Sequence, residues 1–130
     1  MVRNGVTRNP ATDRRPVVES LPGDGQRLGP VVQYIGRHLD RPLTIRELAD
    51  QACMSESNFY RAFRLAFGQT PVDFINRQRV VRAEQLLRTT DQPLLAISRA
   101  CGFRHLTYFM KVFRREMGLP PAQYRKQNAG

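Results

Sequence analysis

The chain of 130 residues has no tryptophan and only two cysteines, Cys53 and Cys101. Two thiols are too few for a disulfide framework or a cysteine-rich zinc site. Each closes a short helical segment, where the expected state is a small, buried, reduced side chain. No metal-ligand cluster, nucleophile–base pair or phosphate loop is legible, and the carboxylates are scattered over helix faces and caps. Neither an enzyme nor a cofactor is therefore expected. Gly23-Asp24-Gly25-Gln26-Arg27-Leu28-Gly29 only loosely resembles a dinucleotide glycine motif; its spacing is wrong and no strand precedes it, so it reads as linker. No apolar run approaches membrane-spanning length and the N-terminus lacks a secretory apolar core, so the expected location is cytoplasmic, without a membrane partner. Negative charge is also scarce: 11 Asp and Glu stand against 21 Lys and Arg, for a net charge of +10 and a pI near 11.0. That balance favours a polyanionic partner, and before motifs are considered nucleic acid and an anionic membrane both fit it.

What the chain does have is a repeat. Phe59-Tyr60-Arg61-Ala62-Phe63-Arg64, followed by Gly68-Gln69-Thr70-Pro71 and Phe74, recurs fifty residues later as Phe109-Met110-Lys111-Val112-Phe113-Arg114, Gly118-Leu119-Pro120-Pro121 and Tyr124. Aromatics at i and i+4 form a stripe on one helix face, Gly stops the helix and Pro begins the next. A duplication of this kind in a basic chain suggests two copies of one binding unit.

Residues 1–27 carry Gly, Pro, Asn, Asp and scattered charges without periodicity, and read as a disordered tail or linker. From residue 28 onward nearly everything reads helical, in about seven helices. Val31, Val32, Ile35 and Leu39 predict a helix near 30–39. Thr44 and Glu47 form a capping box at the start of a short helix, Ser55 caps a third helix running to about Phe67, and Thr70-Pro71 opens a fourth reaching about Arg88. Pro93 opens a short fifth helix, a sixth covers about Leu106–Met117, and Pro120-Pro121 begins the last. The expectation is an all-α chain of two helix-turn-helix units, 28–69 and 90–130, joined by a linker helix at 70–89.

Leu43-Thr44, Leu48-Ala49, Met54-Ser55, Phe59, Arg61, Phe63-Arg64, Gly68, Thr70-Pro71, Ile75, Arg79, Ala83, Leu86-Leu87, Ile97, Gly102-Phe103, Tyr108-Phe109, Phe113-Arg114, Gly118, Pro120-Pro121 and Tyr124-Arg125 stand in this order. At these spacings, from about Val31 to Arg125, the chain resembles the DNA-binding domain of the AraC/XylS transcription regulators. The resemblance implies a bacterial sequence-specific regulator, an activator touching promoter DNA and RNA polymerase, with one monomer reading two half-sites. A linker helix of about 17 residues spans about 25 Å. It can hold two recognition helices in successive major grooves about 34 Å apart. The competing reading is a non-specific architectural DNA binder. Residues 1–27 fit both a stand-alone short regulator and the linker of an excised C-terminal domain, and no small-molecule site is legible in either case.

With Phe59, Phe63, Phe109 and Phe113 turned inward, the opposite faces expose the DNA-binding candidates. In the first recognition helix, about 56–67, these are Ser55, Ser57, Asn58, Tyr60, Arg61 and Arg64. In the second, about 106–117, they are Arg104, His105, Leu106, Thr107, Met110, Lys111 and Arg114. Arg61 can grip guanine O6 and N7 in a bidentate fashion, Asn58 suits adenine, and Lys111 occupies the matching place in the second unit. Thr107, Leu106 and Met110 suit thymine methyls, whereas Ser55, Arg64 and Arg114 are expected at phosphates. For any single exposed Arg the competing reading is a solvated charge. His38 reads as a helix C-terminal cation, and Arg79 as a structural partner of an acid or of carbonyls. The chain departs from the family pattern at Ser98, where a small apolar residue is usual, and at Arg104-His105, where a capping acid or Ser is common. Leu106 also removes a polar reader. The second unit is therefore expected to pack less tightly, to fray at the start of its recognition helix, and to position more than discriminate.

Overall fold

The computed structural model describes residues 23–128. A 3-10 turn, η1 (Gly23–Leu28), leads into seven α-helices: α1 (Gly29–Arg37), α2 (Ile45–Gln51), α3 (Glu56–Phe67), α4 (Pro71–Thr89), α5 (Leu94–Ala100), α6 (Leu106–Met117) and α7 (Pro121–Asn128). No strand occurs among the described residues. Most of the segment expected to be a tail, residues 1–22, lies outside them, but its last five residues belong to η1. Arg27 there donates to the Cys53 carbonyl at 2.8 Å, and the neighbouring Leu28 is fully buried.

Two cores form, one per unit, and α4 serves both. Its first turn sends Phe74 and Ile75 into the first core, with Val31, Ile35, Leu48, Phe59 and Phe63. Its later turns send Val80, Ala83 and Leu87 into the second, with Ile97, Phe103, Phe109, Val112 and Phe113. The duplicated aromatic stripes are core, as their spacing requires. Phe63 meets Phe74 edge-on at 5.2 Å, and Phe113 meets Tyr124 in the same way at 5.5 Å. Burying a side chain of this size contributes about 1.5–3 kcal/mol, so these rings hold α3 and α6 onto their units. Gly68 and Gly118 close α3 and α6 in the left-handed region, each donating back to the arginine carbonyl four residues earlier.

The helix-turn-helix corners correct one expectation. Cys101 is buried, but Cys53 is exposed. The two are not equivalent in the repeat. Ala52 and Cys101 are the C-caps of α2 and α5, whereas Cys53 and Gly102 follow them with positive φ. At this corner the chain must turn left-handed, so the side chain of Cys53 leaves the core while that of Cys101 stays in it. Burial raises the Cys101 thiol to about 11, which makes it inert at neutral pH.

Candidate nucleic-acid interface

α3 and α6 are each held by a buried stripe and offer the reverse face to solvent. On α3, Ser57, Asn58, Arg61 and Arg64 are exposed, and Tyr60 is 40% exposed. On α6 and the turn before it, Arg104, His105, Thr107, Lys111 and Arg114 are exposed, with Met110 at 39%. The repeat sets these side chains in register: Ser57 with Thr107, Tyr60 with Met110, Arg61 with Lys111, Arg64 with Arg114. Leu106 differs from the other candidates. It is half-buried against the second core and seals the edge of that core.

The two faces differ in how they are anchored. Ser55 Oγ accepts the Asn58 amide at 3.2 Å, which occupies one of its two lone pairs and leaves its hydroxyl proton for an outside acceptor. His105, at the same position of the second unit, makes no side-chain cap, and Pro93 makes none at the start of α5. In the first unit Thr44 and Glu47 complete the capping box, and Thr70 caps α4. Glu47 also receives Tyr34 Oη at 2.8 Å and Arg41 Nη2 at 3.0 Å. Burial alone pushes the Glu47 carboxyl up, but the bonds from Arg41, the Thr44 amide and Tyr34 outweigh that and hold it at about 2. Ser98, by contrast, is buried with an Oγ that has no partner among the described residues.

The sequence missed Leu65. It is 86% exposed and closes a shallow groove on the first unit with Ile45, Glu56, Ser57, Tyr60, Arg61 and Arg64. Only its position after Arg64, at an outward-facing turn of α3, hinted at this. Arg115, in register with Leu65, is held by Asp73 at 3.9 Å and Glu116 at 3.7 Å. His38 Nδ1 donates to the Tyr34 carbonyl at 2.8 Å, which places that side chain in the fold and away from both faces. Arg79 donates to two backbone carbonyls, as its apolar neighbours suggested. Among the described residues there is no cluster of metal-ligating side chains, and no helix is long and apolar enough to cross a membrane.

A family profile described as a helix-turn-helix domain matches residues 48–127. The regulatory protein SoxS of Salmonella typhimurium is 34% identical over 95 residues, covering 73% of this chain and 89% of SoxS. The transcriptional regulator CdhR of Pseudomonas aeruginosa is 39% identical over 98 residues, covering 73% of this chain but 29% of CdhR. The chain spans 29–41% of the length of CdhR, of LumQ from Photobacterium leiognathi and of RhaS from Enterobacter, so it corresponds to about a third of these longer relatives. Among solved structures, the DNA-binding domain of AdpA, the global transcriptional factor, in complex with a target DNA, superposes with a TM-score of 0.74 at 36% identity, covering 78% of this chain and 91% of that one. A probable AraC family transcriptional regulator from Rhodopseudomonas palustris superposes with a TM-score of 0.73 at 27% identity, covering 81% and 99%.

Proposed function

Because the chain belongs to the AraC-type helix-turn-helix family of DNA-binding transcription regulators, we propose that it reads promoter DNA by placing α3 and α6 in successive major grooves. The observation that carries this is the repeated exposed basic face. Arg61 with Arg64, and Lys111 with Arg114, stand in register on two helices whose opposite sides are fully buried. The linker α4 has 19 residues, about 28 Å at 1.5 Å per residue, close to the repeat of the major groove.

In this reading Arg61 grips guanine with its two-pronged guanidinium, Asn58 and Lys111 read neighbouring base edges, and Tyr60, Ser57, Thr107 and Met110 lie against bases and thymine methyls. Ser55, Arg64, Arg104, His105 and Arg114 bind phosphate and set the register. Leu106, being half-buried, supports α6 and leaves the base contacts to its neighbours. The protein acts in the bacterial cytoplasm as an activator, with RNA polymerase as a second partner, and it has no enzymatic activity. The SoxS likeness supports the regulatory role, since this chain matches 89% of that regulatory protein.

The test is the ratio of affinities for a target duplex and an unrelated duplex of equal length, at about 0.15 M salt. A ratio of about a thousandfold or more supports a sequence-specific regulator. Equal affinities would replace it with an architectural DNA binder.

A further inference from the structure

Three polar side chains reach off the linker helix at three-residue intervals: Asp73, Asn76 and Arg79. Asp73 meets Arg115 of α6 at 3.9 Å. Asn76, only 3% exposed, donates its Nδ2 to the Tyr108 hydroxyl of α6 at 2.9 Å. Arg79 bridges the two units. Its Nε donates to the Leu39 carbonyl at 3.1 Å and its Nη2 to the Arg41 carbonyl at 2.7 Å, both in the loop between α1 and α2. Its guanidinium also lies over the ring of Phe103 in the second unit's turn, 5.9 Å from the centroid. Beside it Gly102 has φ +90°, and a Cβ there would stand 1.8 Å from the Leu39 carbonyl oxygen and 2.9 Å from Arg79 Nε. Backbone of the second unit therefore abuts backbone of the first with no room for a side chain.

We propose that Arg79, Gly102 and Asn76 set the separation of the two recognition helices, and thereby the half-site spacing that the protein accepts. The proposal rests on the two-groove reading above. A guanidinium offers two donors in one rigid plane, matched here to two carbonyls of one loop, while its face rests on an aromatic ring of the other unit. An ammonium places its three donors on one nitrogen and lacks the plane, so it cannot span the two carbonyls in one fixed geometry and face the ring as well. The contact is therefore geometric as well as attractive, as a spacing element must be. These are positioning residues that touch no base; they act by deciding where Arg61 and Lys111 stand relative to each other.

Two readouts test this on the full chain. The first needs no DNA: the distance distribution between spin labels on exposed Cys53 and on Gln123→Cys, with buried Cys101 replaced by Ala. The parent is expected to give one narrow distance. Arg79→Lys, which keeps the stem and charge, and Gly102→Ala, which forces the junction open, are expected to shift or broaden it without loss of helical circular dichroism. The second readout is affinity for duplexes carrying both selected blocks with the spacer changed by one or two base pairs. The parent is expected to prefer one spacing by about tenfold or more, and the variants to differ by less than about threefold across spacings while keeping their affinity for an isolated block. Unchanged distances, or a spacing preference kept by Arg79→Lys and Gly102→Ala alike, would overturn the proposal. A parent indifferent to spacing would overturn the two-groove reading and the spacing role with it. That case is recognisable because the label distances would still change.

Discussion

At the scale of the residue, three side chains carry forecasts that separate recognition from stability. Arg61→Ala is expected to cost about 1–3 kcal/mol of specific affinity and to relax preference at one base pair, read by anisotropy against duplexes varied at each position. A uniform loss across all sequences would reassign Arg61 to phosphate. Ser98→Ala removes a buried hydroxyl that has no partner among the described residues and is expected to raise stability by about 1 kcal/mol in urea unfolding. Glu47 forecasts an acid limb. Its folded value of about 2 lies below its ordinary 4.5, so its contribution is complete above about pH 4.5 and is lost as pH falls toward 2. Glu47→Gln should flatten the fall in urea midpoint over that interval; an unchanged slope would assign it to other carboxylates. The sequence exposed the capping role of Glu47 through its spacing from Thr44, but not its bonds to Tyr34 and Arg41, which come from a different helix and a loop. Cys53 was misread for a related reason. Composition favours burial of a thiol, and only the backbone at the corner turns this one outward.

At the scale of the element, helix starts and stops were legible because they depend on local chemistry. Thr44, Ser55, Thr70, Gly68 and Gly118 each act within one turn of their own position, and the helices begin and end beside them. The start of the chain was harder. Leu28 anchors η1 by burial, which no periodicity in 23–27 announces. The start of α6 differs from that of its counterpart α3 in that His105 makes no side-chain cap. Without DNA, amides in the first turn of α6 are expected to exchange faster than those of α3, where Ser55 caps. His105→Ser should slow them and add about 1 kcal/mol of stability. Equal protection of the two turns in the unsubstituted chain would show that packing alone holds α6.

At the scale of the molecule, charge and duplication made the partner class legible, whereas the junction between the units was not. Arg79 was readable as a structural cation, but its carbonyl partners lie 38 and 40 residues away, and one sequence does not reveal such pairings. With a net charge of +10, affinity should fall steeply with salt. Arg64→Ala or Arg114→Ala should reduce the slope of log K against log salt by about one, and an unchanged slope would remove that residue from the phosphate contacts. The central claim is that one chain reads two successive grooves with α3 and α6. Selection of random duplex DNA on the purified protein, beside Arg61→Ala and Lys111→Ala, tests it most directly. The expected result is an asymmetric motif of two blocks about one helical turn apart, with each variant losing a different block. A single block, a palindrome bound only by a dimer, or the same block lost in both variants would contradict it.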